Sequence, residues 1–355
     1  MNSTSAILIG DSIENPANAR VMMAAARMFG VECAFANIAP TDPLGSNGEG
    51  DATRPDGDRL PLITLDAATA RYSQVIACDN LPDARELYGF RAAPQFALLI
   101  GNERRGLTYS SRRIATEAVH IPMQSQRINC LNVAAAAAVA LNYLTRIRVG
   151  TMARVADPAS RRPEVLLAAA TDHIELGSAI RSAAAFGWSR ILIDDYCRVW
   201  FGVDRVVRSE GRAAARRARN DIRLVPVTGH AVIDVPQVVV VTVASTGTPL
   251  HRLDLSRGSR QLIVVPDEGA GLIDPETMER NGRRLRVASV DLSRHSFPYH
   301  YRLIASLVLA EVARQVGVYT PREGRRKARP EYMFHLPVSM EAAGESISLA
   351  ELDAY

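Results

Sequence analysis

The feature that most constrains the fold of this 355-residue chain is an internal repeat. Residues 15–31 (NPANARVMMAAARMFGV) align without a gap with residues 172–188 (DHIELGSAIRSAAAFGW). A second pair follows in the same order, GNERRGL at 101–107 with PDEGAGL at 266–272, and a loop with a long helix closes each half. Three matches in one order predict two copies of a single domain.

Short apolar runs typical of strands alternate with helical patterns in both halves, which predicts α/β domains with parallel sheets flanked by helices. Strands are predicted at 6–9, 73–77, 96–100, 118–122, 165–169, 190–193, 238–243 and 262–265, and helices at 19–29, 132–145, 176–186 and 301–316. The predicted boundaries are a first domain at 1–148, a linker at 149–163, a second domain at 164–320 and a carboxy-terminal tail at 321–355.

The cysteines and the apolar stretches argue against several kinds of protein. The four cysteines are far apart and show no zinc-ligand spacing, so we predict free thiols in the reducing cytoplasm and no metal site. The amino terminus lacks the pattern of a signal peptide. The longest apolar stretch, residues 133–141, is too short to cross a bilayer, so we expect no membrane partner.

The chain carries a formal net charge of +4 and a pI of about 9.0, and arginine supplies most of the positive charge. Arginine forks match phosphate oxygens, which favours a polyanionic partner. A genome that prefers arginine codons would explain the same count, and the sequence leaves both explanations open.

Three blocks of the first half resemble the motifs of the SpoU/TrmH-like RNA methyltransferases in the SPOUT superfamily. Residues 15–30 resemble the first motif, FALLIGNERRGLT at 96–108 the second, and IPMQSQRINCLN at 121–132 the third. The resemblance covers most of residues 5–148. Residues 164–318 resemble the same domain more faintly, as a degenerate second copy in a tandem duplication.

This resemblance implies a fold, a cofactor and a substrate. The family fold is an α/β domain with a carboxy-terminal trefoil knot, expected in the first half and also in the second. Members transfer a methyl group from S-adenosylmethionine to a ribose 2′-hydroxyl of tRNA or rRNA. Because the family works as a homodimer, the duplication predicts an intrachain pseudodimer, either monomeric or dimerising further.

The resemblance also implies which residues hold the cofactor, mostly through backbone groups of the knot loops. These residues are Ile100, Gly101, Asn102, Ile121, Pro122, Met123, Cys130 and Leu131. Their chemistry agrees with that role, because a glycine admits close approach of a ligand and Pro122 stiffens the loop. The step from Leu131 to Asn132 opens a helix, whose free N–H groups can bind polar atoms.

The catalytic candidates come from the same motifs. Methyl transfer needs an aligned acceptor, a route for the hydroxyl proton and a fixed phosphate. Four first-half residues stand at the family's catalytic positions, although Cys130 replaces the usual serine; they are Asn18, Glu103, Cys130 and Asn132.

The family's motif-one arginine is missing from the first half, where Ala24 stands instead. The second half has Arg181 at that position but Glu175 at the asparagine position. We therefore hypothesise that Arg181 completes the first-half site across the domain interface, as a fifth catalytic candidate. The alternative is that Arg20, one turn earlier, replaces the missing group.

Six arginines are candidates for RNA binding: Arg20, Arg104, Arg105, Arg127, Arg212 and Arg216. The last two belong to residues 205–223, which carry seven arginines. Spaced arginines on a helix suit phosphate contacts, although a solvated helix face has the same pattern.

Two other functions remain open from the sequence. The chain could be a SPOUT methyltransferase that acts on a non-RNA acceptor, because its motifs are divided between the halves. It could also be a non-catalytic RNA-binding protein, which Ala24 and Cys130 favour and the intact second and third motifs oppose.

Overall fold

The computed structural model describes residues 5–38, 60–81, 83–125, 127–146, 154–155, 162–227, 237–242, 248–255, 261–266, 284–289 and 300–319. These residues lie in one compact unit that extends to Tyr319. The predicted tail at 321–355 and most of the predicted linker at 149–163 lie outside the described residues.

The first sheet has six strands in the order β2-β1-β5-β3-β6-β4, and every neighbouring pair is parallel. Its strands are β1 (Ser5–Asp11), β2 (Glu32–Ala36), β3 (Gln74–Cys78), β4 (Arg85–Glu86), β5 (Gln95–Ile100) and β6 (Glu117–His120). The sequence did not predict β2, because its five residues follow the end of a helix with hardly any loop.

The second sheet has seven strands in the order β10-β9-β8-β13-β11-β14-β12, again all parallel. Its strands are β8 (Glu164–Ala168), β9 (Arg190–Asp194), β10 (Arg223–Pro226), β11 (Gln237–Thr242), β12 (Thr248–Pro249), β13 (Gln261–Pro266) and β14 (Arg284–Ser289). Apart from the edge strand β10, the order of chain segments equals that of the first sheet. A separate two-stranded ladder joins β7 (Arg154–Val155) to β15 (Val318–Tyr319).

Helices flank both sheets, which confirms the predicted α/β class with parallel sheets. They are α1 (Pro16–Phe29), α2 (Leu65–Arg71), α3 (Tyr109–Ile114), α4 (Val133–Leu141), α5 (His173–Ala185), α6 (Arg205–Ala214) and α7 (Tyr301–Val316). A π-helical turn at Asn142–Arg146 continues α4.

The repeated helices α1 and α5 begin and end in the same way. The side chains of Asn15 and Asp172 accept hydrogen bonds from backbone N–H groups of the first turns. Gly30 and Gly187 follow the helices with φ angles of 66° and 91°, which other residues rarely adopt. Helix α1 starts three residues before its predicted start because Pro16 is pre-organised for a first turn.

One apolar core contains residues of both halves. Along β1, Ala6 and Leu8 face this shared core, whereas Ile7 and Ile9 face a smaller cluster on the other side of the sheet. Helices α4 and α7 contact each other within the shared core. Between them the Tyr143 hydroxyl donates to Glu311 Oε2 over 2.6 Å. The halves are therefore joined by packed helices.

Candidate active site

Three of the predicted catalytic side chains form one hydrogen-bonded row. Asn132, which caps the start of α4, donates from Nδ2 to Asn18 Oδ1 over 3.0 Å. Asn18, in the first turn of α1, donates from Nδ2 to Glu103 Oε1 over 2.7 Å. Each amide therefore accepts on one side and donates on the other, so the row has one orientation and fixes the carboxylate of Glu103.

Glu103 is held by a tight loop after β5. Asn102 and Gly106 exchange two backbone hydrogen bonds of 2.9 and 3.0 Å. The Asn102 side chain donates to Ser12 O over 2.6 Å and accepts from the backbone N–H groups of Arg104 and Arg105. Asn102 was predicted to bind cofactor; the structure shows its polar groups engaged in shaping the turn that presents Glu103.

Gly101, another predicted cofactor residue, is crowded by the same loop. A Cβ atom at Gly101 would lie 2.2 Å from Gly106 C and from Leu107 N. We expect Gly101→Ala to reduce the free energy of unfolding by at least about 2 kcal/mol, since backbone must move to admit the methyl group. Urea unfolding measures this effect. Gly202→Ala is the control, because no atom lies within 4 Å of its Cβ position and only its φ of +79° opposes the change; an equal loss in both variants would refute the steric explanation.

The second carboxylate oxygen of Glu103 indicates that this site binds a ligand. Glu103 Oε2 is buried and has no hydrogen-bond partner within the described part of the chain. An unpaired buried acceptor is costly, and in native structures it calls for a missing donor. A hydroxyl group or a positively charged ligand would satisfy it.

Asp11 supports the site and was not predicted. Its side chain is fully buried at the end of β1. Oδ2 accepts from Thr108 N over 2.6 Å, and Oδ1 accepts from Asn37 Nδ2 over 2.7 Å. Asp11 thereby ties the end of the Glu103 loop to the segment after β2. A charged residue directly after a buried strand was the available signal.

The loop after β6, which begins at Ile121, contacts the second half of the chain. Ile121 and Pro122 are buried and Met123 is half-buried. The backbone N–H groups of Gln124 and Ser125 both donate to Ala185 O at the end of α5, over 3.0 and 3.2 Å. The loop predicted to hold the cofactor is thus docked on the second half.

Arg181 of α5 lies against the end of this loop. Its Nε donates to Cys130 O over 2.9 Å, and its Nη2 donates to Leu131 O over 2.7 Å and lies 3.1 Å from Cys130 Sγ. Burial lowers the pKa of Arg181 from its usual value, an effect that nearby Arg216 reinforces. The structure therefore brings the arginine of the second half to the residues preceding Asn132.

The two arginine hypotheses differ in geometry. Arg20 is exposed and Asn18 is buried. The two residues are two positions apart on α1, and positions two apart lie on nearly opposite faces of a helix. Arg181 is only 8% exposed. Of the two, Arg181 has the described contact with the predicted site.

The remaining RNA-binding candidates occupy different surroundings. Arg104 and Arg105 are exposed beside Glu103, and Arg105 pairs with Glu14. Arg127 pairs with Asp221 of the second half over 3.0 Å, with both side chains mostly exposed. Arg212 and Arg216 line an open groove of about 710 Å³ together with Arg217 and Arg219.

In the second half, charged residues occupy the place of the asparagine row. Glu175, which aligns with Asn18, lies 3.0 Å from His300 Nδ1 and accepts from Arg302 Nη2 over 2.6 Å and from Arg302 N over 2.9 Å. His300 precedes α7 as Asn132 precedes α4. Glu175 is therefore bonded within the protein, and the second half has no free polar group at the position that corresponds to Asn18 in these contacts.

The Glu175 cluster makes stability depend on pH. Burial alone would raise the pKa of Glu175, but hydrogen bonds from His300 and Arg302 and the charge of Arg302 lower it to about 2. A carboxylate with a depressed pKa stabilises the fold above its unfolded value near 4.5, and this contribution is lost as the pH falls towards 2. We expect Glu175→Gln to destabilise the protein more at pH 7 than at pH 3, as measured by urea unfolding. Glu14→Gln, at an exposed carboxylate that pairs with an arginine, should show little difference; an equal loss for Glu175→Gln at both pH values would contradict the account.

Within the described ranges, no helix is long and apolar enough to cross a membrane. The same residues contain no group of three His, Cys, Asp or Glu side chains that could hold a metal ion. None of the four cysteines, which all lie within the described ranges, forms a disulfide bond.

Comparison with known proteins identifies part of the chain. Residues 5–142 match the family model described as the SpoU rRNA Methylase family. Sequence comparison with curated proteins gave no match. A solved SpoU methyltransferase from Streptomyces viridochromogenes is 18% identical, with 59% of this chain and 79% of that chain covered and a TM-score of 0.35. A TrmH/SpoU tRNA modifying enzyme from A. aeolicus is 11% identical, with 44% and 78% covered and a TM-score of 0.34. The family model matches the first half of the chain only, up to residue 142.

Proposed function

We propose that the chain, whose residues 5–142 match the SpoU rRNA Methylase family model, is an S-adenosylmethionine-dependent RNA methyltransferase. Its proposed acceptor is a ribose 2′-hydroxyl of tRNA or rRNA. The proposed site has parts from both halves: the asparagine row with Glu103 from the first, and Arg181 from the second.

One observation carries the proposal. Side chains that are distant in sequence, at positions 18, 103 and 132, form a continuous hydrogen-bonded row that ends at a buried carboxylate oxygen without a partner in the described residues. A purely structural row would satisfy its last acceptor internally. The unpaired oxygen favours a site built for a ligand, and a hydroxyl donor is the simplest ligand group that fits.

The residues present also fit the cofactor. The end of the loop, at Cys130 and Leu131, and the start of α4 offer backbone groups to polar atoms of the cofactor. S-adenosylmethionine would supply the methyl group. Ile100, Ile121, Pro122, Met123, Cys130 and Leu131 would surround it.

The chain's own residues would handle the acceptor. Glu103 Oε2 can accept the hydroxyl proton, while the Asn18 amide holds Oε1 and so fixes the direction of the free oxygen. Arg181 acts as a positioning residue, because its guanidinium donates to the carbonyls of Cys130 and Leu131. The exposed Arg104 and Arg105 beside Glu103 are suited to contact the RNA backbone.

We also propose that the two halves arose by tandem duplication and pack as an intrachain pseudodimer of two domains, 1–148 and 164–320. The shared strand order, the matching helix caps at Asn15 and Asp172 and the shared core support this proposal. The trefoil knots remain part of the proposal. The second half lacks the Ile-Pro-Met and Leu-Asn residues of the third block, so only the first half would hold cofactor.

Incubation of the full chain with radiolabelled S-adenosylmethionine and either total tRNA or total rRNA tests the function. We expect label in one RNA class, in linkages that resist alkaline hydrolysis because a methylated 2′-oxygen cannot attack the phosphate. Label in alkali-labile linkages would indicate base methylation and contradict the proposed acceptor. Cofactor binding without transfer to either RNA would favour a non-RNA acceptor, and RNA binding without cofactor binding would favour the non-catalytic function.

A further inference from the structure

Exposed apolar side chains are concentrated on one region of the second half. The described residues have six exposed large apolar side chains, and four of them lie between residues 174 and 206: Ile174, Tyr196, Phe201 and Val206. Tyr196 is 70% exposed, and Phe201 is 36% exposed. One short loop therefore offers two aromatic rings to a ligand, and aromatic rings provide large contact faces.

This loop, residues 195–203, is held in a defined shape. The carboxylate of Asp195 accepts hydrogen bonds from the backbone N–H groups of Val199, Trp200 and Phe201, at distances between 2.6 and 3.1 Å. Arg208 of α6 donates from Nη2 to Val203 O over 2.6 Å. The rings are therefore presented by an ordered loop, so little conformational entropy is lost when a ligand binds them.

The loop is continuous with the arginine-rich helix. Trp200 packs beside Gly211 of α6, its Cζ3 lying 3.1 Å from a Cβ position there. Residues 205–219 contain six arginines and one glutamate, a net of five positive charges. The groove lined by Arg212 and Arg216 follows along the same segment.

The same helix leads towards the candidate site. A Cβ at Gly177 would lie 2.4 Å from Gly211 O, so α5 and α6 cross in close contact. Arg181 lies one turn after Gly177 on α5, and the charge of Arg216 acts on it. Aromatic loop, arginine groove and candidate site thus lie on one connected set of elements.

We propose that Tyr196 and Phe201 stack on unpaired bases of the RNA substrate, whose backbone the arginines of residues 205–219 contact. The inference rests on the proposed function, since it assigns the part of the substrate that this face binds. Aromatic faces beside positive charge suit single-stranded RNA, because bases stack on rings while phosphates pair with guanidinium groups. Bases within a duplex are stacked on each other and cannot reach the rings.

Fluorescence anisotropy tests the proposal with a labelled 12-nucleotide oligoadenylate and an RNA duplex of the same length. We expect the double variant Tyr196→Ala/Phe201→Ala to weaken oligoadenylate binding by at least roughly 30-fold, because two stacked bases lose their rings, with an unchanged dependence on salt and unchanged duplex binding. Arg212→Ala should instead reduce the salt slope by about 0.7, the contribution of one single-strand phosphate. Tyr109→Ala, which removes a tyrosine 74% exposed on the first half, is the matched control.

Wild-type affinity of the double variant for oligoadenylate would overturn the proposal, as would equal losses on oligoadenylate and duplex. A changed oligomeric state with unchanged RNA binding would overturn it in favour of a second copy of the chain. If the wild-type protein and the double variant methylate RNA equally well, this inference alone is refuted. Ring-dependent oligoadenylate binding without methyl transfer would support this inference and refute the proposed function.

Discussion

Arg181→Ala is expected to lower the affinity for S-adenosylhomocysteine roughly 10- to 150-fold, because charge-assisted hydrogen bonds contribute about 1.5–3 kcal/mol. The guanidinium donates to Cys130 O and Leu131 O, and its loss would leave both carbonyls of the cofactor loop without that donor. Methyl transfer at subsaturating cofactor should fall by at least the same factor. Calorimetric titration measures the affinity directly.

Two further variants, Arg181→Lys and Arg20→Ala, separate positioning from general damage. Arg181→Lys should recover only part of the affinity, since an ammonium group lacks the planar fork that reaches both carbonyls. Arg20→Ala removes an exposed arginine from α1 and should leave affinity unchanged. Wild-type affinity in a folded Arg181→Ala, with a loss in Arg20→Ala, would instead support the Arg20 alternative.

Glu103→Gln is expected to reduce the rate of methyl transfer on the order of 10²- to 10⁴-fold, the usual contribution of a positioned general base. The amide can still accept from Asn18 Nδ2, so the row should persist, but its other end can no longer take a proton. Single-turnover kinetics with saturating cofactor isolates this step.

The same variant should bind S-adenosylhomocysteine with nearly wild-type affinity. Glu14→Gln, at the exposed carboxylate that pairs with Arg105, is the matched control and should retain its rate. If Glu103→Gln transferred methyl groups at the wild-type rate, Glu103 would not be the proton acceptor, and the row would be a structural feature only.

The sequence predicted the general architecture because its signals were local. Apolar runs predicted β1, β5 and β13, and the aligned Ala-rich segments that end in Phe-Gly predicted the repeated helices. Two strands with arginine in their patterns, β10 and β14, were missed. Whether such segments form strands depends on their neighbours in the sheet, and the pattern of a single segment does not show those neighbours.

The candidate site was predictable only in part. Motif resemblance singled out Asn18, Glu103 and Asn132, but their order in the row follows from the packing of α1 on α4. Asp11 was missed because its role depends on Thr108 and Asn37, which are distant in sequence. The aromatic loop was missed as well, since exposure of Tyr196 is a property of the folded chain.

The most direct test of the central claim, a single cofactor site built from both halves, is calorimetric titration of the full chain with S-adenosylhomocysteine. The account predicts one site per chain, weakened by Arg181→Ala in the second half and unaffected by Glu175→Gln in a folded protein. Two sites per chain would show that the second half also holds cofactor, and no binding would contradict the methyltransferase assignment itself.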